Sequence, residues 1–344
     1  LISSIDSERI SRHIEQALTA RLAYQKDRDY VIVDEEVVIV DESTGRIMDG
    51  RKWQDGLHQS IESKEQVPIT ATSGEAARVT IQSFFRRYSH LAGMSGTAVQ
   101  AAAELKKIYG MNVAAIPTHR PCIRVGLAPR IFRTADDKRD AVVDQIAELV
   151  SNDRAVLVGT PSVEASEELG ARLKTLGIRH QILNATRHER EADVVAEAGQ
   201  SGWVTVATNM AGRGTDIKLT DELTKAGGLH VIATEMHSSE RIDRQLVGRA
   251  ARQGDPGSFQ FFLSLDDELL RCREETLLEQ LREQARSGDS GGLALSWLKF
   301  FHSTQKMLER QHRKQRRELL KQEKQRNDTY KRMGLDPCLE LTES

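Results

Sequence analysis

The 344-residue sequence predicts an α/β fold: a parallel sheet flanked by helices, preceded by a β-hairpin segment and followed by a long C-terminal helix. Three observations carry this. Short apolar runs at 155–158, 181–183, 203–207, 229–233 and 259–263 have the length of buried strands. Amphipathic stretches at 136–150, 162–176, 187–199 and 238–250 fall between them. Strands that alternate with helices build a parallel sheet covered on both faces. Ligands of such sheets bind beyond the carboxyl ends of the strands. Thr160, the segment 208–216 and Thr234–Glu235 all lie at such ends.

The remaining elements follow in chain order. Residues 7–26 carry Ile10, Ile14, Leu18 and Leu22 at four-residue spacing, which predicts a helix. The apolar runs 30–33 and 37–40 then flank Asp34-Glu35-Glu36. An apolar strand opening into Asp-Glu is how a Walker B carboxylate is offered to magnesium. The alternative is a hairpin with an acidic turn. The hairpin is favoured, because no phosphate loop precedes it and the second run also ends in acid, Asp41-Glu42. Residues 43–65 are turn-rich and polar; within them Trp53 and His58 read as structural residues before site residues. Residues 75–92 predict a helix bearing Val79, Ile81, Phe84, Phe85 and Leu91, and 93–98 a tight turn. Residues 286–292 read as a linker and 293–332 as one long helix. From Lys306 to Arg332 that helix has a net charge of +7. It reads as a solvated scaffold packed through Leu308, Leu319 and Leu320, or as a contact for nucleic acid or acidic lipid.

Composition sets the outer bounds. A hydrophobic fraction of 39% with 29% charged residues suits a globular protein with a real core, and this length predicts roughly two to three domains. A formal net charge of −2 gives no global field favouring nucleic acid. Cys122, Cys272 and Cys338 match neither disulfide nor zinc spacing, which points to a reducing compartment. No apolar run reaches the roughly 18–20 residues that span a bilayer. The chain opens on Leu1 with no signal peptide and reads as a segment of a longer protein.

Two segments carry the chemistry. Residues 208–217 read Thr-Asn-Met-Ala-Gly-Arg-Gly-Thr-Asp-Ile directly after the strand at 203–207. A strand opening into a Gly-Arg-Gly turn presents backbone N–H groups and a guanidinium to an anion. Gly212, Arg213 and Asp216 are therefore candidate nucleotide-binding residues. The second segment, 245–257, places Arg249 and Arg252 three residues apart, on one face of a helix, with Gln245 one turn before them. Together they make half of a site for the terminal phosphate of a nucleotide. No glycine of the sequence is followed by lysine, so a P-loop of the form Gly-x-x-x-x-Gly-Lys-Ser/Thr is absent from it. The Walker A and Walker B elements are expected outside this chain.

These residues resemble the SecA family, the ATPase motor of bacterial preprotein translocation. The resemblance includes 209–217 with 252–257, and also 40–48, 50–59, 91–98, 156–160, 188–191 and 227–231. It runs collinearly from about residue 24 to 270 and more weakly to 332. It implies a tail of the preprotein cross-linking domain at 1–42 and the end of a first RecA-like nucleotide-binding domain at 43–118. A second RecA-like domain would occupy 119–270, and a truncated helical scaffold 271–344. The usual Gly-Arg-Ser-Gly-Arg run stands here as Gly248-Arg249-Ala250-Ala251-Arg252, and the usual Met-Thr-Gly-Thr-Ala as 94–98 with Ser95. The sequence shows no C-terminal cysteine-rich zinc motif, with Cys338 standing alone, which weakens the argument for zinc and for the SecB chaperone.

The resemblance implies an ATP hydrolase in the full-length protein. ATP would sit between the two RecA-like domains, with Mg2+ held mainly by the first. Arg249 and Arg252 would stabilise transition-state charge, Gly212, Arg213 and Asp216 would line the nucleotide, and Gln245 would bridge to it or to the Asp216 loop. Arg213 pairing with Asp216 is the structural alternative. Implied partners are unfolded preprotein, a SecYEG-type translocon and an anionic membrane surface, without nucleic acid; monomer and homodimer both stay open. The implied location is cytoplasmic and peripheral to the inner membrane. The competing readings are a superfamily 2 nucleic-acid helicase and a non-catalytic SecA-like scaffold.

Overall fold

The apolar runs form the strands that their spacing predicts. The computed structural model describes residues 7–40, 47–48, 50–71, 79–183, 197–208, 216–285 and 295–334. Within them β1 (Tyr30–Val33) and β2 (Glu36–Ile39) pair as an antiparallel hairpin. The strands β3 (Val125–Gly126), β4 (Arg130–Phe132), β5 (Val156–Thr160), β6 (His180–Leu183), β7 (Val204–Thr208), β8 (Leu229–Ala233) and β9 (Gly257–Ser264) form a parallel sheet. Its order is β3-β9-β8-β5-β7-β6. Strand β4 continues along the β9 edge beyond β3: Val125 lies opposite Ser258 and Arg130 opposite Phe262. These two short edge pieces are additions to the predicted set.

Every residue of β5, β7 and β8 is buried, as expected of central parallel strands covered on both sides. Alternate residues supply two cores. Val156, Val158, Val204, Val206 and Ile232 face the helices Ala135–Ser151 and Val163–Thr175. Leu157, Ala207, Leu229 and Val231 face the other way, against Leu223, Leu246 and Ala250. Fully burying one such aliphatic side chain contributes about 1.5–3 kcal/mol. Helix starts are set locally. Thr134 accepts from the Asp137 amide at 3.1 Å, and Ser162 from the Ala165 amide at 3.1 Å. Of the helix expected at 187–199, residues 187–196 lie outside the described set.

A third core roots the C-terminal helix. Phe301 is fully buried against Ile131, Leu263, Leu265, Leu270 and Leu278. The helix Leu298–Arg332 follows a short 3-10 turn at Leu295–Trp297. An additional helix, Glu275–Gln284, buries Leu278.

Three expectations for the N-terminal third change. The predicted helix at 7–26 runs Ser7–Leu22, but Ile10, Ile14, Leu18 and Leu22 are exposed and Ala20 is the buried contact. The turn-rich stretch 43–65 contains the helix Leu57–Lys64, whose Leu57 and Ile61 share a core with Ala20, Tyr30 and Val37. Trp53 packs edge-on to Tyr24 and Tyr30, and His58 is buried with its Nε2 3.3 Å from Glu62. The helix predicted at 75–92 is Ile81–Phe85, and residues 86–92 leave helical geometry. Val79, Ile81, Phe84 and Phe85 are all exposed, so no buried face holds further turns together.

Candidate functional site

The helix Glu240–Val247 follows β8 and packs on one face of the sheet through Leu246. Its position depends on a glycine: a Cβ at Gly159 of β5 would meet Leu246 Cδ2 at 2.5 Å. Close approach of strand and helix there sets the chain that follows, Gly248–Gly257. The helix ends at Val247, so the two arginines expected on one helix face stand in the irregular chain beyond it, broken by the left-handed Ala251: Arg249 is buried, and Arg252 extends toward the surface. Ala251 between them sits in the left-handed region at φ +54°, where the SecA pattern has glycine.

These residues border a cleft of about 1020 Å3. Arg120, Arg124, Arg244, Arg249 and Arg252 line it, together with Thr97 and Gln245. Its lining is strongly cationic and its volume suits a nucleotide. Gln245 Nε2 donates to Thr97 Oγ1 at 3.2 Å. Thr97 is itself buried, and its amide donates to Ser95 Oγ at 3.2 Å. Arg124 Nη1 donates to the Val247 carbonyl at 2.9 Å, at the last residue of the helix. Arg252 Nη1 lies 3.0 Å from Asp216 Oδ1, and Gln253 Nε2 donates to Asp216 Oδ2 at 2.8 Å.

The structure thus brings Gln245, Arg249, Arg252 and Asp216 to one place. Gly212 and Arg213, and the motif at 188–191, lie outside the described residues. Gln245 has a partner in Thr97, from the turn at 93–98. Arg120 and Arg124 were missed in the sequence reading. Two arginines four apart in an irregular segment were the signal available. Asp216 is the carboxylate described beside the cleft, and no trio of His, Cys, Asp or Glu able to hold a metal ion occurs among the described residues. The arginine lining of the cleft fits phosphate.

A second polar cluster lies at the ends of β8 and β9. Lys138 is buried; its Nζ donates to the Thr234 carbonyl at 2.8 Å, to Asp267 Oδ1 at 2.6 Å, and sits 3.6 Å from Glu235 Oε1. Burial, with the Asp267 charge second, pushes Glu235 up to about 8, although Lys138 pulls the other way. Nearby, Arg28 pairs with Glu268, and the Val163 amide donates to the Asp27 carbonyl at 3.0 Å. The β1–β2 segment is thereby docked on the sheet domain through Val31, Val40 and Val163.

Parallel sheet, two helical layers and a cationic cleft define a RecA-like α/β protein with a long C-terminal helix. The description "SecA P-loop domain" matches residues 121–225 and 219–290, and "SecA preprotein cross-linking domain" matches residues 2–62. Together the matches take in more than half of the chain. The chain is 48% identical over 339 residues to Protein translocase subunit SecA 2 of Rhodopirellula baltica, covering 95% of this chain and 51% of that protein. It is 54% identical over 268 residues to Protein translocase subunit SecA of Porphyromonas gingivalis, covering 78% of this chain and 24% of that protein. For Protein translocase subunit SecA of Clostridium tetani the figures are 50% over 280 residues, 81% and 34%. The chain belongs to the SecA family, and it spans from a quarter to half the length of these relatives.

Proposed function

We propose that this chain is the half of an ATP-driven preprotein translocation motor that closes over the terminal phosphate of ATP. The observation that carries it is the gathering of Arg120, Arg124, Arg249 and Arg252 around one cleft, with Gln245 tied to Thr97 at its wall. In this reading the second RecA-like domain is 119–270, 1–42 and 43–118 are the ends of the two preceding domains, and 271–344 is the scaffold.

Bound ATP supplies the phosphoanhydride that is hydrolysed. Arg249 and Arg252 lie over its γ-phosphate and stabilise the charge that develops there. Gly212, Arg213 and Asp216 line the nucleotide, and Gln245 joins the arginine segment to the turn that holds Thr97. The phosphate cradle and any magnesium ligands come from sequence outside this chain, so no step is assigned to the metal. By itself the 344-residue chain is expected to show no turnover.

The cross-linking domain match supports unfolded preprotein as substrate, delivered to a SecYEG-type translocon. The described helices include none long and apolar enough to cross a membrane. Peripheral attachment to an anionic cytoplasmic membrane face is supported instead by the long helix. Its Lys306, Arg310, Arg313, Arg317, Lys321, Lys324 and Lys331 recur at three- and four-residue spacing with one interruption, and all are exposed.

The test is ATP turnover by the full-length protein. Arg252→Ala should lower kcat by about 10³ while nucleotide binding stays within a few-fold, the signature of an arginine finger. Turnover that rises with unfolded preprotein and translocon supports the motor. Unchanged turnover in the variant removes Arg252 from the chemistry, and stimulation by RNA instead would favour a helicase.

A further inference from the structure

The helix that delivers the arginines has no cap of its own. Ser239 precedes Glu240–Val247 in extended geometry, and its side chain makes no capping hydrogen bond to the helix. The long helix supplies one from a distance in sequence. Glu309 Oε1 accepts from the Glu240 amide at 2.9 Å and from Ser239 Oγ at 3.2 Å. A carboxylate at that end also meets the positive pole of the helix.

One turn earlier on the same face of the long helix is Gln305. It is buried, and its Nε2 donates to Asp243 Oδ2 at 2.6 Å and to the His237 carbonyl at 2.8 Å. Asp243 is buried within the arginine helix, and its other oxygen accepts from the His237 amide at 2.9 Å. The long helix therefore grips the arginine helix at two successive points. Gln245 lies in the last turn of that eight-residue helix, and Arg249 and Arg252 stand in the chain just beyond its end. A short rigid helix held at its start transmits any shift to its end.

We infer that Gln305 and Glu309 are positioning residues for the arginine pair, so that the placement of the scaffold helix sets the rate of nucleotide turnover. The inference rests on the proposed role of Arg249 and Arg252. Neither residue touches the nucleotide cleft; both act through Asp243 and the Glu240 amide.

The experiment measures kcat and nucleotide dissociation constant in the full-length protein, with melting temperature followed in parallel. Gln305→Leu and Glu309→Ala are each expected to lower kcat by about 10–100-fold, the cost of misplacing a catalytic group by about 1 Å, with nucleotide affinity unchanged. Glu309→Gln keeps the acceptor oxygen and should restore most of the rate. In an Arg249→Ala/Arg252→Ala background, Gln305→Leu should have no further effect on kcat. If Arg252→Ala is slow but both scaffold variants turn over normally, the positioning role is overturned and the arginine role stands. Additive losses in the triple variant also overturn it. If Arg252→Ala turns over normally, the underlying reading fails instead. Should Gln305→Leu not fold, Glu309→Ala, at a half-buried site, decides the question with its Gln rescue.

Discussion

Arg252 is held by Asp216: the guanidinium Nη1 lies 3.0 Å from the carboxylate Oδ1. Both side chains are about a third exposed or more, 34% and 40%, so the pair is worth at most about 1 kcal/mol and is easily exchanged for a phosphate. Asp216 also holds Gln253. Where Asp216 only parks the arginine, Asp216→Asn in the full-length protein should change nucleotide affinity by less than about fivefold. Where it hydrogen-bonds the nucleotide, loss of the charged acceptor costs about 1.5–3 kcal/mol, or roughly 10–100-fold. The proposed site predicts the larger change, read by calorimetric or fluorescent nucleotide titration.

Ala251 carries backbone strain that a glycine would avoid. At φ +54° an alanine pays about 1–2 kcal/mol relative to glycine, against about 0.4–1 kcal/mol for the freedom glycine adds to the unfolded chain. Ala251→Gly should therefore stabilise the fold by about 0.5–1 kcal/mol. Thermal melting of the variant reads this directly, and a lower melting temperature would contradict it.

Glu235 gives a pH dependence of definite sign. Its folded value near 8 lies above that of an unfolded carboxyl, so the folded state holds a proton that the unfolded chain releases. The stabilisation from that protonated form is complete below the unfolded value and is lost as pH rises toward 8. Wild-type melting temperature should fall more steeply than that of Glu235→Gln between roughly pH 5 and pH 8. Parallel curves for the two proteins would show that Glu235 is ionised throughout.

The basic face of the long helix predicts attachment to anionic lipid. Each basic residue near such a surface contributes about 1 kcal/mol, so reversing Arg310, Arg317 and Lys324 to glutamate in the full-length protein should weaken binding to phosphatidylglycerol vesicles by about 10² or more. Neutral phosphatidylcholine vesicles should not distinguish the proteins, and raised salt should erase the difference. Equal binding of both proteins to anionic vesicles would assign the stripe to solvent.

Periodicity along the chain was enough to recover β5 to β9 and the helices between 135 and 175, because the length and apolar pattern of each element are written in a few successive residues. It also singled out Arg249 and Arg252 from their spacing. The same kind of signal found the helix Ser7–Leu22 but not what it buries, and it misled at 75–92. Apolar spacing shows that a face exists, yet Ile10, Ile14 and Phe84 remain exposed, since burial needs a neighbouring element to cover them. Trp53 and His58 follow the structural reading made from sequence: both pack into the N-terminal core.

What the sequence determined alone is thus a covered parallel sheet and a family wording specific enough to name SecA. Only the tertiary structure decided which groups meet the helix Glu240–Val247 and the chain just beyond it: Thr97 beside Gln245, Asp216 beside Arg252, and Gln305 with Glu309 at the helix start. These partners lie 36 to 148 residues away along the chain. Sheet order and helix docking, rather than any local repeat, bring them together.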